Sequence, residues 1–259
     1  MIAYHFYADD SQLWKKANPK CQSDVATNLK RLEIAISHIS TWMRDNRLKL
    51  NSSKTEFLVI GSEKNRKKAQ VDSIKVDNDR VTASESAKNL GLTLDQTLSL
   101  EKHISGVVKS CRYHLRELWH IRKYLSEDTA KIIVHALIIS KLEYCNSLYV
   151  NLPDRLLAKL QSVLHDAARL ITRTARSDHI TPVLIHLHWL SIKERIEFKV
   201  LTIVYKTIHG ESPEYLRELL TIYKPSRDLR LASHNLLHET RYRLTSAGLR
   251  CFEVAGPKL

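Results

Sequence analysis

Apolar residues recur at helical spacing in two parts of the chain. In the first part they are separated by alternating steps of four and three residues, at Val25, Leu29, Leu32, Ile36, Ile39 and Met43. Such steps place apolar side chains on one face and predict a long amphipathic helix. Ser23 and Asp24 are candidates for its N-cap, and we expect it to end near Asn46. From Leu98 onward the apolar spacing is helical again.

Between and around these parts, the first hundred residues favour short strands. Aromatic and apolar residues on both sides of Ala8-Asp9-Asp10 predict a β-hairpin over residues 2–14. A second hairpin, of residues 71–76 and 80–83, is predicted around the turn-forming dipeptide Asp77-Asn78. Single strands are predicted over residues 55–60 and 88–94, where Gly91 permits a bulge or a close backbone approach.

The later helices carry clear start and stop signals. One helix has an apolar stripe at Ile104, Val108, Cys111, Leu115 and Leu118. A second is predicted from Ser126 to about residue 148, and a third from Pro153-Asp154 to about residue 172. A fourth, over residues 192–208, is preceded by a Ser191/Glu194 capping box and followed by Gly210, and Ser212-Pro213 begins a short fifth.

This succession predicts an α+β fold with three regions. Residues 1–97 would hold the first β-hairpin, the long helix and a small antiparallel sheet. Residues 98–222 would be mostly α-helical. Residues 223–259 would form an irregular basic tail containing Arg227, Arg230, Arg241, Arg243 and Arg250.

The charge balance points to polyanionic partners. The 259 residues include 41 Lys and Arg against 28 Asp and Glu, a net charge of +13. Most of the excess falls after residue 97, in the helical part. A positive surface of this kind attracts nucleic acid, although many basic proteins bind no specific partner. The basic run Lys64–Lys68 is a further candidate patch for nucleic acid or nuclear import, or simply a solvated loop.

Cysteine usage and hydropathy predict a soluble intracellular protein, in nucleus or cytoplasm. Cys21, Cys111, Cys145 and Cys251 are widely spaced and suggest neither a disulfide framework nor a zinc knuckle. The longest apolar stretch, near residues 132–139, contains His135 and is too short to span a bilayer. We therefore expect no membrane partner.

Two adjacent carboxylates, Asp9 and Asp10, stand in the turn of the first predicted hairpin. Carboxylates in a tight turn can hold Mg²⁺, which prefers oxygen ligands and leaves positions open for phosphate. Two-metal phosphoryl transfer uses such ligands. The simpler alternative is that Asp-Asp only favours the turn itself.

Several further motifs follow this turn in a fixed order. The segments Tyr7–Leu13, Leu48–Phe57 and Asn89–Asp95 are followed in the helical part by Tyr144–Leu148, His188–Leu190 and His209–Leu216. Their order and spacing resemble the reverse transcriptases of jockey-like non-LTR retrotransposons. The resemblance covers nearly the whole chain.

The resemblance implies roles for particular residues. Asp9 and Asp10 match the catalytic metal-binding turn, with Mg²⁺ as the cofactor. Lys54 matches a lysine that is a candidate proton donor to the leaving pyrophosphate. Without the resemblance, a solvated lysine at a strand edge is the better reading of Lys54.

The resemblance also implies that parts of a polymerase lie outside this sequence. In the family the palm supplies another metal-binding Asp, and the region for template and incoming nucleotide, ahead of this turn. The expectation is therefore a C-terminal portion, with the end of a palm followed by a thumb-like region. Two carboxylates do not make a complete metal cluster, so we expect no polymerase activity from the chain alone.

A thumb-like region is expected to hold an RNA template–DNA primer duplex through its phosphates. The candidate contacts are the basic residues of the first helix after residue 97 and its end: Lys109, Arg112, Arg116, Arg122 and Lys123. Two alternatives remain open. One is a non-catalytic basic nucleic-acid-binding protein. The other is a decayed element fragment without selected activity, which would expose apolar patches.

Overall fold

Helices predominate in the computed structural model of the chain, which describes residues 2–223, 236–242 and 248–259. The strands pair into three separate two-stranded antiparallel sheets. The predicted α+β class is therefore confirmed at this level. The chain divides into two compact units, Met1–Lys102 (unit 1) and His103–Leu259 (unit 2).

Unit 1 contains the three β-hairpins. Their strands are β1 (Ala3–Tyr7), β2 (Asp10–Trp14), β3 (Ser73–Val76), β4 (Asp79–Thr82), β5 (Ser86–Asn89) and β6 (Leu92–Asp95). The first hairpin pairs Tyr7 with Asp10 and the second pairs Val76 with Asp79, so each turn has two residues. Both hairpins are confirmed where the sequence predicted them.

The strand predicted over residues 88–94 is wrong, because the chain reverses in its middle. Leu90 and Gly91 have φ angles of 46° and 82°, and they form the two-residue turn between β5 and β6. Two consecutive positive φ angles match the twist of a tight hairpin, and Gly adopts such an angle without strain. The strand predicted over 55–60 is also absent among the described residues, where Phe57 makes a single bridge to Ala83.

Three helical segments complete unit 1: α1 (Gln22–Asp45), a 3₁₀ turn (Ser52–Lys54) and α2 (Glu63–Ala69). The predicted long helix is confirmed, but its N-cap is Cys21 rather than Ser23 or Asp24. The basic run Lys64–Lys68 lies in α2 and not in a loop. The side chain of Ser62 accepts a hydrogen bond from the backbone N–H of Asn65 and caps this helix.

The core of unit 1 is small. Its buried apolar side chains among the described residues are Val25, Ile74, Val76, Leu92 and Leu100. Beside it the buried carboxylate of Asp95 accepts five hydrogen bonds, from the backbone and hydroxyl groups of Thr97 and Ser99 and from the Leu100 N–H. This carboxylate thus fixes the segment that leads out of β6.

Helices follow one another through the rest of the chain. They are α3 (Glu101–Ile121), α4 (Glu127–Val134), α5 (Ser140–Glu143), α6 (Asp154–Thr172), α7 (Thr181–His186), α8 (Ile192–Ile208), α9 (Glu214–Arg217) and α10 (Phe252–Ala255). The 3₁₀ turns are Arg122–Tyr124, Asn146–Tyr149, Gly248–Arg250 and Gly256–Lys258. The predicted start of the third helix at Asp154 and the Ser191/Glu194 capping box of α8 are confirmed.

The helix predicted from Ser126 to about residue 148 is shorter and less regular than expected. Ser126 caps α4 as predicted, but a π-helical turn, His135–Ile139, separates α4 from α5. The chain then leaves the helix at Tyr144, which is extended, and Cys145, whose φ is 53°. The apolar spacing alone did not indicate this break.

Unit 2 holds the larger core. The predicted stripe of α3 is buried, with Cys111 fully enclosed, and α6 contributes Leu160, Val163 and Leu164. Burial raises the pKa of the Cys111 thiol to about 11.

None of the helices in the described residues combines the length and the apolar character needed to cross a bilayer.

Candidate nucleic-acid interface

Asp9 and Asp10 lie at the tip of the first hairpin, as the sequence predicted. Asp9 stands in the turn after Ala8, whose φ of 51° is unusual for a residue other than glycine, and Asp10 begins β2. Both side chains are exposed. Within the described residues neither carboxylate forms an ion pair, so both are open to solvent and to ligands.

Lys54 lies at the end of the 3₁₀ turn Ser52–Lys54 and is exposed. Among the residues that the structure describes, it makes no hydrogen bond or ion pair with Asp9 or Asp10. The geometry therefore gives no support to joint action of this lysine with the two carboxylates.

The donor set does not fit a complete two-metal centre. In residues 2–223, 236–242 and 248–259, no group of three or more His, Cys, Asp or Glu side chains converges as a metal site. Two exposed carboxylates can supply only part of the ligands that a pair of Mg²⁺ ions requires. We assign no catalytic step to a metal in this chain.

Four of the five predicted duplex contacts are exposed on the surface of unit 2. Lys109, Arg112, Arg116 and Lys123 are exposed and follow one another at spacings of three, four and seven residues. The spacings from Lys109 to Arg116 keep these three side chains on one side of α3, and Lys123 follows in the 3₁₀ turn Arg122–Tyr124. We call these four residues the α3 cationic face. It lies away from the buried stripe that runs through Ile104 and Leu115.

Little negative charge offsets this face. Lys109 and Arg112 form no ion pair within the described part of the chain. The Arg116 side chain is 68% exposed, and its Nε lies 3.4 Å from the carboxylate of the neighbouring Glu117. Aromatic rings accompany the cations: the Arg116 guanidinium lies 5.6 Å from the Tyr113 ring centroid, and the Lys123 ammonium lies 4.8 Å from that of Tyr124. The positive charge is thus available to a polyanion.

Arg122 is the exception, because its side chain does not lie on the surface with the other four. Its side chain is buried, with 5% of its surface exposed. The guanidinium donates three hydrogen bonds of 2.6 Å, from Nε to the Leu170 carbonyl, from Nη2 to the Ile171 carbonyl and from Nη1 to the Leu125 carbonyl. The Leu170 and Ile171 oxygens lie in the last turn of α6, where carbonyl groups lack helical partners and a cation is favoured.

The side chain of Arg122 links the end of α3 to the end of α6 through its hydrogen bonds. Its burial lowers the pKa of the guanidinium, and the positive charge of Arg173 lowers it further. An arginine nevertheless keeps its proton, because its ordinary pKa is so high. Arg122 thus orients two helix ends instead of contacting a ligand.

A pocket next to this junction was not anticipated from the sequence. Its cavity has a volume of about 430 Å³ and is lined by Trp119, Asp166, Arg169, Arg173, Thr174, Ala175 and Arg176. We call it the Trp119 pocket. The only sequence feature that could have indicated this pocket is a run of arginines, spaced three or four residues apart, at and just after the end of α6. That run does not reveal which aromatic residue faces it.

Three of the five arginines named in the predicted basic tail, Arg227, Arg230 and Arg243, lie outside the described residues. Arg241 is exposed and Arg250 is half-buried.

Comparison of the chain with protein-family models, with curated proteins and with solved structures finds no match.

Proposed function

We propose that this chain is a portion of a non-LTR retrotransposon reverse transcriptase that binds an RNA–DNA duplex through the α3 cationic face without polymerising DNA by itself. The relationship to reverse transcriptases is supported by the ordered motifs, beginning with Tyr7–Leu13. The binding activity is supported by the distribution of charge in unit 2. Duplex binding and polymerisation depend on different residues, so each is measured in its own experiment.

The observation that carries the proposal is the exposed row of cations on α3. From Lys109 to Arg116 the helix rises by roughly 10 Å, which is about three times the axial rise per phosphate of one strand of a duplex. Lysine and arginine side chains at such positions neutralise phosphates without reading bases. We therefore expect binding that depends strongly on salt and weakly on sequence.

The proposal excludes independent catalysis. Asp9 and Asp10 are exposed at a hairpin tip, and no third carboxylate joins them among the described residues. Phosphoryl transfer requires metal ions and reacting groups held in fixed positions. A pair of carboxylates without further ligands does not provide this.

The first experiment measures duplex binding by fluorescence anisotropy. A labelled blunt RNA–DNA duplex is titrated with the chain at several salt concentrations. The expected affinity falls as salt rises, with a logarithmic slope of about −0.9 per phosphate neutralised. Arg112→Glu combined with Arg116→Glu should reduce affinity at least tenfold at low salt and make the slope shallower by about two phosphates.

A matched control keeps the net charge equal. Lys199→Glu combined with Lys206→Glu places the same charge change on exposed positions of α8. If both double variants weaken binding equally, net charge rather than the α3 cationic face accounts for the affinity. If neither weakens it, duplex binding lies elsewhere on the molecule and the assignment fails.

The second experiment is primer extension on a poly-rA/oligo-dT template with Mg²⁺. We expect no incorporation by the purified chain, with a complete reverse transcriptase as the positive control. Template-dependent incorporation that disappears in Asp9→Asn plus Asp10→Asn would contradict this part of the proposal. It would mean that an assembly of the chain completes the metal centre.

A further inference from the structure

The Trp119 pocket combines an aromatic wall with an excess of positive charge. Trp119, on α3, is 45% exposed, so part of its indole is free to contact a ligand. Arg169, Arg173 and Arg176 line the same cavity, against a single lining carboxylate from Asp166. A volume of about 430 Å³ lies within the usual range for sites that bind a small molecule or one residue of a polymer.

Hydrogen bonds hold two of the three guanidinium groups without neutralising their positive charge. Arg169 donates to the carbonyls of Ala175 and Asp178 at 3.3 and 3.2 Å, and Arg173 donates to the carbonyl of Arg122 at 3.2 Å. Carbonyl oxygens hold these side chains in place but do not neutralise them. Within the described residues Arg176 makes no side-chain hydrogen bond, and none of the three arginines forms an ion pair.

The walls of the pocket are also fixed with respect to each other. Arg122 follows Trp119 by three residues and donates to the Leu170 and Ile171 carbonyls near the end of α6. The segment after α6 is held by Arg169 through its bonds to Ala175 and Asp178. A site with such preset walls loses little conformational freedom when a ligand enters.

The pocket continues the α3 cationic face. Arg116 lies three residues before Trp119 and is its neighbour on the surface of α3, and Lys123 follows α3 in the 3₁₀ turn Arg122–Tyr124. A nucleic acid that contacts Arg116 therefore passes beside the indole. Aromatic rings flanked by cations bind unpaired bases by stacking. A paired base inside a duplex is already stacked on its neighbours and cannot stack on such a ring.

We propose that the Trp119 pocket binds one unpaired nucleotide that extends from the duplex on the α3 cationic face, with its base against the indole and its phosphate between Arg173 and Arg176. This inference rests on the proposed duplex-binding function. It adds recognition of single-stranded nucleic acid at the end of that duplex. It requires no sequence preference, since every base has a face that can stack.

The test compares three labelled duplexes of equal paired length. One is blunt, one carries a three-nucleotide overhang, and one carries an overhang of the same length without bases. The chain should bind the normal overhang at least about fivefold more tightly than the abasic one, as expected from the stacking of one base. Overhangs of RNA and of DNA, measured separately, show which single strand is preferred.

Variants of the pocket should act on the overhang alone. Trp119→Ala should abolish the advantage of the normal overhang over the abasic one and leave blunt-duplex binding within about twofold. Trp119→Phe, which keeps a ring, should retain most of that advantage. Arg176→Ala should weaken both overhang substrates equally. The matched controls are Phe198→Ala, an exposed aromatic residue of α8, and Arg217→Ala, an exposed arginine of α9; neither should change any of these affinities.

Several outcomes would overturn the inference. One is equal affinity of the wild-type chain for normal and abasic overhangs, and another is an advantage that survives Trp119→Ala. Displacement of the overhang duplex by polyglutamate as effectively as by oligo-dT would assign the pocket to acidic peptides instead.

If the blunt duplex does not bind at all, the proposed function fails. The pocket is then judged separately, from quenching of Trp119 fluorescence by a single-stranded oligonucleotide, with Trp119→Phe as the reference.

Discussion

Of the five basic residues at positions 109, 112, 116, 122 and 123, Arg122 alone has a buried side chain. Arg112 and Arg116 lie on the surface as their positions in the helical pattern predicted. Arg122 belongs to the same basic series but lies beyond the end of α3, in a 3₁₀ turn, so the helical period no longer predicts its direction. Its burial depends on carbonyl groups 48 and 49 residues away, which no local pattern reveals.

The buried guanidinium leads to a prediction about stability. Arg122→Ala removes three charge-assisted hydrogen bonds and leaves three carbonyl oxygens without these donors. We expect the free energy of unfolding to fall by roughly 3 kcal/mol, measured by urea denaturation followed by circular dichroism. Arg122→Lys should lose an intermediate amount, because an ammonium cannot reproduce the planar fork of donors.

The control for this prediction is an arginine of the same series on the surface. Arg112→Ala should change the free energy of unfolding by less than about 0.5 kcal/mol, because the side chain is exposed. Equal losses for Arg112→Ala and Arg122→Ala would contradict the structural role given to Arg122.

Whole elements were predictable where a local signal fixes both their period and their ends. The long helix α1, the Asp77-Asn78 hairpin and the capped helix α8 follow from spacing and from turn or cap residues. The prediction of elements failed where one continuous sequence pattern covers two structural elements. A continuous β-favouring run concealed the Leu90-Gly91 turn, and a continuous apolar run concealed the π-helical turn before α5.

The segment between β6 and α3 provides a prediction about pH. Burial alone raises the pKa of Asp95, but hydrogen bonds from Thr97 and Ser99 outweigh this effect and lower it from the ordinary 3.8 to about 2. The folded state therefore binds this proton more weakly than the unfolded state. The resulting stabilisation is fully present above pH 3.8 and is lost as the pH falls towards 2.

Asp95→Asn should accordingly lower the free energy of unfolding at pH 7, by on the order of 1–2 kcal/mol. The difference from wild type should shrink between about pH 4 and pH 2, in urea titrations at a series of pH values. Asp72→Asn is the control, since this exposed carboxylate of unit 1 accepts no such set of hydrogen bonds. A difference for Asp95→Asn that stays constant over this range would refute the role of the ionised carboxylate.

At the scale of the whole molecule, the class of fold could be predicted, whereas the meeting of distant segments could not. The change from short strands to helices near residue 97 indicated α+β from periodicity alone. The Trp119 pocket needs α3 and the segment after α6 side by side, and Arg122 provides that junction through tertiary contacts. A single sequence does not contain that information in any local form.

The unequal cores of the two units predict unequal local stability. Unit 1 encloses few apolar side chains among the described residues, whereas α3 and α6 of unit 2 bury fully enclosed side chains such as Ile104 and Leu160. We expect backbone amides of α1 and of the hairpins to exchange with deuterium well before those of α6. Hydrogen exchange of the full chain at increasing urea, followed by mass spectrometry, measures this order. Equal protection of α1 and α6 would contradict it.

The fully buried Cys111 gives the molecule a built-in reporter of opening. Thiols react as thiolates, and burial both blocks access to Cys111 and raises its pKa to about 11. An alkylating reagent near neutral pH should therefore label the exposed Cys251 rapidly. It should reach Cys111 only when α3 separates from the core. The rate of that second modification is then a direct chemical record of how often the interior of unit 2 admits solvent.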